Sequence, residues 1–172
     1  MSDRVPTTTC PGCGVLLPEQ DGPTHRYQES SPACWALYGD VLAREYSDPR
    51  YSQVHRLTVD AFSAQHPGKP SPQTIQSAAV HLISLHLVLE RAYSMQQATQ
   101  ALGLAVAKGK GSYIWLTPPA FLGKITVADV QKAANVEDHL RAVRAWAESV
   151  WQAWAQHHKT IREWAGQLCP KI

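Results

Sequence analysis

The sequence predicts an all-α fold, an antiparallel helical bundle preceded by a loop-rich N-terminal region. Ser31-Pro32, Asp48-Pro49 and Ser71-Pro72 each join a good N-capping residue to the proline that helices favour at their first position. Residues 78–89 are apolar apart from a serine and two histidines, so a helix there belongs in the centre of the molecule. Apolar side chains between residues 143 and 164 recur at steps of three or four, as on one face of a helix. Short connections between helices favour antiparallel neighbours.

The expected elements follow one another with few interruptions. Glycines and prolines between residues 10 and 31 predict loops and turns. A capping box at Thr126 predicts a short helix after it. The sequence SYIWL, from residue 112, is compatible with a short extended segment. The longer helices are expected at residues 32–46, 50–66, 72–93, 95–107 and about 136–166.

Cysteines near the N-terminus form the most specific motif. The sequence CPGCG places Cys10 and Cys13 at the spacing that lets two thiolates bind one tetrahedral zinc ion. Cys34 is the natural third ligand because it falls in the first turn of a helix, whose partial charge favours a thiolate. His25 is close in sequence. His66 competes with it, since antiparallel packing of the first two helices would bring the end of the second beside Cys34.

Two other interpretations of the motif stay open. CPGCG is also compatible with a turn that carries two free thiols, or with a dithiol that cycles between oxidation states. The redox interpretation fits less well, because redox motifs of this spacing usually open a helix. Cys169, near the C-terminus, is expected to take no part in the site. With a metal bound, zinc is the expected cofactor and its role is structural.

Size and composition predict a single domain over residues 1–172. Within it we expect a metal-knuckle and loop cap in residues 1–31, a three-helix hairpin array in 32–93, and a connecting region with a long tryptophan-rich helix in 94–172. An apolar content of 44% indicates a folded chain, and a net charge of +2 gives no footprint for nucleic acid. No apolar run is long enough for a membrane span or a signal segment, so a cytoplasmic location is expected.

Histidines in the predicted helices form a second candidate site. His55 and His81 lie at similar depths if their helices are antiparallel, and His157 lies in the apolar stripe of the last helix. Three imidazoles from three helices would hold a second metal with an open coordination position, which suits catalysis. Asp60 would orient one of them. The alternative is that each histidine is hydrogen-bonded in the core.

Several segments of the sequence also resemble those of a known family. CPGCG, GPTH, SPACWALYGDVLAREY, VHRLTVDAFSAQHPG, SPQTIQSAAVHLISLHLVLE and ESVWQAWAQHH together are similar to an uncharacterised bacterial domain family of unknown function. The resemblance covers nearly the whole chain. It implies that Cys10, Cys13, His25 and Cys34 belong to one unit, which favours His25 as the fourth ligand. It implies no activity.

Two functions are therefore expected at this stage. One is metal-assisted chemistry on a small molecule in a pocket lined by His55, His81 and His157, beside a structural zinc site. The other is a zinc-stabilised binding or assembly module without enzymatic activity. A small-molecule ligand fits the first function, and the sequence does not define an oligomeric state.

Overall fold

A computed structural model describes residues 5–168 of the chain. Within these residues the fold is mostly helical, as predicted, with eight α-helices and one small two-stranded sheet. Two 3-10 turns, Lys110–Ser112 and Ala155–His157, complete the ordered elements. The helices are α1 Pro32–Ser47, α2 Pro49–Ser52, α3 His55–Gln65, α4 Pro72–Leu89, α5 Met95–Ala107, α6 Val127–Gln131, α7 Val136–Ala153 and α8 His158–Leu168.

A β-hairpin encloses the CPGCG motif, although the sequence predicted only loops there. Strand β1, Thr7–Thr9, pairs antiparallel with β2, Leu16–Pro18. The Cys10 amide donates to the Val15 carbonyl at 2.9 Å, and the Gly14 amide donates to the Cys10 carbonyl at 2.9 Å. Glycine and proline correctly indicated the turn. The strands have only three residues each, which is too short for a clear alternating pattern.

The predicted helix starts are confirmed by their capping bonds. The Ser31 hydroxyl accepts from the Cys34 amide, and the Ser71 hydroxyl accepts from the Thr74 amide. Asp48 caps α2 in the same way. The expected capping box at Thr126 is present, and the Asp129 carboxylate accepts a hydrogen bond from the Thr126 amide. These side chains satisfy amide groups that a helix start leaves without partners, which is why the pattern was readable from sequence.

Two expected helices are interrupted. The second is divided at residues 53–54 into α2 and α3, so the array between residues 32 and 93 contains four helices. The long C-terminal helix is interrupted at Trp154, whose ψ of 12° departs from helical geometry, and resumes as α8. Trp154, Ile161 and Trp164 are nevertheless all buried, so the apolar stripe continues across the break. No strand forms at SYIWL.

Helix α4 is the central element of the fold. It packs against α3, α5, α7 and α8, and its Leu82, Ile83 and Leu85 are inaccessible to solvent. Its apolar composition therefore reflects burial inside the protein. None of the helices between residues 5 and 168 is long and apolar enough to span a membrane.

Glu90, which ends α4, connects this helix to α7 and α8. Its carboxylate accepts two hydrogen bonds from the Arg162 guanidinium, at 2.7 and 2.9 Å, and one from the Trp151 indole at 3.1 Å. The His86 ring lies 2.8 Å from the same carboxylate. Arg162, with smaller contributions from Trp151 and His86, lowers the pKa of Glu90 to about 2.

We expect Glu90→Gln to destabilise the protein at neutral pH by roughly 1 kcal/mol after solvent screening. Because folding lowers the pKa of Glu90 from 4.5 to about 2, its contribution is complete above the unfolded pKa and disappears as the pH falls toward 2. The difference in unfolding free energy between the two proteins should therefore shrink from about pH 6 to about pH 3, measured by urea denaturation. Glu163→Gln, at an exposed position, is the control. A constant difference across this range would contradict the assignment.

Candidate metal centre

Four buried side chains from distant parts of the chain form a group that could hold a metal ion. Cys10 follows β1, Cys13 lies in the hairpin turn, Cys34 lies in the first turn of α1, and His66 follows the end of α3. Their ligand atoms all lie within 4.8 Å of one another. It is the one such group of His, Cys, Asp or Glu between residues 5 and 168. Cys169, expected to be a bystander, lies outside the described residues.

The distances within this group fit tetrahedral coordination. Metal–sulfur bonds of 2.3 Å at tetrahedral angles place two sulfurs about 3.8 Å apart, and a sulfur and an imidazole nitrogen about 3.5 Å apart. The Sγ atoms of Cys13 and Cys34 are 3.8 Å apart. Cys34 Sγ lies 3.4 Å from His66 Nε2. The Ser31 amide, 3.5 Å from Cys10 Sγ, donates to that sulfur as well.

The His66 ring is held in the tautomer that metal binding requires. Its Nδ1 lies 2.8 Å from the Phe62 carbonyl, which can only accept, so Nδ1 carries the hydrogen. In the neutral ring Nε2 then has the free electron pair, and this nitrogen faces Cys34 Sγ. The ring also stacks on Phe62, with centroids 3.9 Å apart. Such a bond from the distal nitrogen is the usual way in which proteins orient a metal-binding histidine.

The thiols strongly influence one another's ionisation. Hydrogen bonds from Cys13 and Cys34 hold the pKa of Cys10 far below its usual range. The bond to Cys10 raises the pKa of Cys13 to about 12, and hydrogen bonds to Cys10 and Cys13 raise the pKa of Cys34. Without a cation, one thiolate therefore forms at the expense of the other two. A divalent metal would remove this conflict, since it binds all three sulfurs as thiolates.

Gly12 permits the close approach of the hairpin to His66. A Cβ atom at this position would lie 2.5 Å from Cδ2 of His66 and 2.5 Å from the Glu29 carbonyl. Any side chain there would push the hairpin away from α3. The second residue after Cys10 is therefore constrained by the fourth ligand, which is distant in sequence.

His25, the first choice for fourth ligand, does not belong to the group, and this expectation is corrected. Its ring contacts Tyr27 and Trp35, with centroids 4.5 and 5.3 Å away. Its Nδ1 accepts from the Tyr27 amide at 3.3 Å. The loop that carries His25 directs it to a different surface, whereas the end of α3 brings His66 to the start of α1. The alternative ligand, His66, occupies the expected position.

The structure does not bring His55, His81 and His157 into one metal-binding group. His55 Nδ1 lies 2.8 Å from Glu45, and His157 Nε2 lies 2.8 Å from the Thr117 carbonyl. His81 Nδ1 lies 2.8 Å from Asp60, the carboxylate that was expected to orient a histidine. Each histidine has a separate partner, and no second metal has a ligand set here among residues 5–168.

The sequence reasoning missed a buried polar network around Glu45. This carboxylate is inaccessible to solvent and contacts His55, Thr58 and His139. His139 is also fully buried, and its Nδ1 accepts from Arg44 at 3.4 Å. Its Nε2–H therefore donates to Glu45. A signal was present, since Tyr38, Val41 and Glu45 share one helical spacing and place an acid on the apolar side of α1.

These observations define the class of protein. It is mostly helical and has a Cys3His metal-binding group where the hairpin, α1 and α3 meet. A family model described as "Family of unknown function (DUF5946)" matches residues 8–155. The chain belongs to this DUF5946 family, which confirms the resemblance to a family of unknown function that the sequence segments indicated. No curated protein and no solved structure matches the chain.

Proposed function

We propose that the protein binds one zinc ion through Cys10, Cys13, Cys34 and His66, and that this zinc has a structural role. The observation that carries the proposal is the buried set of four ligands, which leaves no coordination position for water or substrate. Soft thiolates with one imidazole favour zinc over magnesium or calcium. Zinc supplies a fixed tetrahedral junction between the hairpin, the start of α1 and the end of α3.

The metal centre also restrains the chain between its ligands. Residues 14–33 connect Cys13 to Cys34 and contain β2 but no helix before Pro32. Between residues 14 and 30, the side-chain hydrogen bond to the helices is Gln28 Nε2 to Ser63 Oγ, at 2.9 Å, and Ser31 then caps α1. Zinc would therefore hold both ends of a loop that has few other attachments. In this proposal the loop, once held, forms one wall of the site where the protein acts on a small molecule.

The small-molecule function is preferred to nucleic-acid or membrane binding because the chain is nearly neutral overall. The proposal also includes an antiparallel arrangement of α3 and α4, because only the short segment 66–71 connects them. A cytoplasmic location suits reduced thiols.

Metal analysis of the purified full-length protein tests the structural role. We expect one zinc per chain, lost in Cys13→Ser, with a large fall in thermal stability. His81→Ala should retain the zinc, since His81 lies outside the group. A second equivalent of metal, lost in His81→Ala, would support metal-assisted chemistry instead. Absence of any bound metal in protein purified without chelators would contradict the proposal.

The non-enzymatic alternative, a zinc-stabilised binding module, is favoured by one specific observation. The three histidines expected to form a catalytic metal site each bind a different partner. In this alternative they serve the core alone. Ligand binding without turnover would favour the module, whereas a chemical change of a bound small molecule would favour the enzyme.

A further inference from the structure

A cleft runs along the zinc-held loop and the start of α4. Three cavities of about 550, 450 and 320 Å³ adjoin one another, because Tyr27 lines all three. Their walls are residues 24–30, residues 68–74, the adjacent side of α4 as far as His81, and Lys110. We call this space the Tyr27 cleft. Each cavity by itself has the size of a typical small-molecule site.

The walls of the Tyr27 cleft carry an excess of positive charge. Arg26, Lys69 and Lys110 line it, and none of them makes an ion pair or side-chain hydrogen bond with any residue between 5 and 168. Glu29 is the one carboxylate among its lining residues. Unpaired cations along a concave surface attract anions, and more strongly than on a flat surface because the walls focus the electric field.

A buried hydroxyl at the cleft lacks a partner. Ser30 is 8% exposed and lines the largest of the three cavities. Its Oγ is the one buried side-chain nitrogen or oxygen in residues 5–168 without a hydrogen bond. Ser71, which caps the 18-residue α4, and Thr74 in its first turn line the same cavity. The helix start adds partial positive charge there, and a ligand oxygen would supply the partner that Ser30 lacks.

At the other end of the cleft, His81 presents one free nitrogen. Its Nδ1 is bonded to Asp60, which is itself held by Arg56 and by the Ser84 hydroxyl at 2.5 Å. Its Nε2 has no hydrogen bond within the described chain and is not among the buried unpartnered atoms, so it is accessible. Buried Asp60 therefore fixes the ring while Nε2 stays available to the smallest cavity.

Tyr27 lines all three cavities, between Ser30 and His81, and offers an aromatic surface. The residue is 39% exposed, and its ring packs edge-on against His25 with centroids 4.5 Å apart. Burial, with a smaller contribution from the charge of His81, lowers the pKa of His25. Gly68 brings the other wall close, since a Cβ there would lie 2.1 Å from the Tyr27 carbonyl.

We propose that the Tyr27 cleft binds a small organic anion, a phosphorylated or carboxylated molecule with a planar apolar part. Arg26 and Lys110, which line the 450 Å³ cavity together, hold the anionic group, and Lys69 adds positive charge at the Ser30 end. The planar part contacts Tyr27, and His81 Nε2 forms a hydrogen bond with a polar group of the ligand. This assignment rests on the proposed function, because zinc holds the loop of residues 24–30 in position.

Binding of three simple probes to the zinc-loaded full chain tests this proposal. Phenyl phosphate, benzoate and benzyl alcohol share an aromatic ring and differ in charge. By titration calorimetry we expect one or both anions to bind at least about tenfold more tightly than the alcohol. A preference for phenyl phosphate assigns the phosphate class and a preference for benzoate the carboxylate class. Equal affinity for benzyl alcohol would overturn the proposal.

Matched variants locate the binding. Arg26→Gln and Lys110→Gln should weaken binding of the preferred anion about tenfold each, whereas Arg91→Gln and Lys159→Gln, at exposed positions outside the cleft, should not. The anion should also shift the NMR signals of the His81 ring and leave those of His157 unchanged. Equal losses in the control variants, or no shift at His81, would overturn the assignment.

Zinc content, measured on the same samples, separates the two proposals. One zinc per chain without anion binding would overturn the cleft proposal alone. Folded protein that binds the anion without zinc would overturn the structural role of the metal and leave the cleft assignment standing.

Discussion

Substitution of His66 by alanine is expected to release the zinc ion and to lower the free energy of unfolding by at least about 3 kcal/mol. The change removes the one imidazole ligand of the Cys3His group and leaves three buried thiols that cannot ionise together. It also creates a cavity against Phe62, on which the ring stacks. Metal analysis and urea denaturation, with and without a chelator, measure the two effects.

His25→Ala is the matched control, since His25 is the nearer histidine in sequence and lies outside the group. We expect this variant to retain one zinc per chain and to lose little stability, because its ring is only partly buried. A chelator should destabilise His25→Ala as much as the unmodified protein, yet have almost no effect on His66→Ala. Loss of zinc in His25→Ala with retention in His66→Ala would reverse the assignment.

Glu45→Ala is expected to have the second large effect, a loss of roughly 3–5 kcal/mol of stability. Glu45 is fully buried and joins α1 to α3 through Thr58 and His55, and to α7 through His139. Removal of the carboxylate leaves these polar groups without their acceptor. The replacement also leaves a cavity, since alanine is much smaller than glutamate. Chemical denaturation with zinc present in excess gives the difference, and the zinc content should not change.

Glu148→Ala provides the comparison for a surface carboxylate. Glu148 pairs with Arg144 at 3.0 Å, but about half of each side chain is exposed, so the loss should be at most about 0.5 kcal/mol. Glu45→Gln should lie between the two, because an amide keeps the shape but provides one acceptor where the carboxylate provides two. Similar losses for Glu45→Ala and Glu148→Ala would show that the buried network contributes little.

The Cys3His group and the Glu45 network lie at opposite ends of the same helix. Cys34 lies in the first turn of α1, and Glu45 lies near its end at Ser47. Both connect α1 to α3, since His66 follows α3 and Thr58 lies within it. Both predicted losses of stability therefore concern the attachment of α1 to α3. A double variant tests whether they add, as expected for separated sites.

Local signals in the sequence determined much of this protein. Ser31 and Ser71 fixed two helix starts because capping is a short-range interaction between a side chain and an amide three residues away. The spacing of Cys10 and Cys13 identified half of the metal group, because it is likewise a short-range pattern. The apolar composition of α4 correctly indicated a central position, since an apolar surface on all sides must be covered by other elements.

The tertiary structure alone decided which distant side chains meet. His25 and His66 were both acceptable fourth ligands by residue type, and only the packing of α3 against the N-terminal hairpin distinguishes them. The same holds for the histidines expected to share a metal, because a small rotation of a helix sends each imidazole to another neighbour. Glu45 and His139 are 94 residues apart, and their pairing depends on the docking of α7 beside α1 and α3. Residue type and spacing specify what a side chain can bind, whereas packing specifies what it reaches.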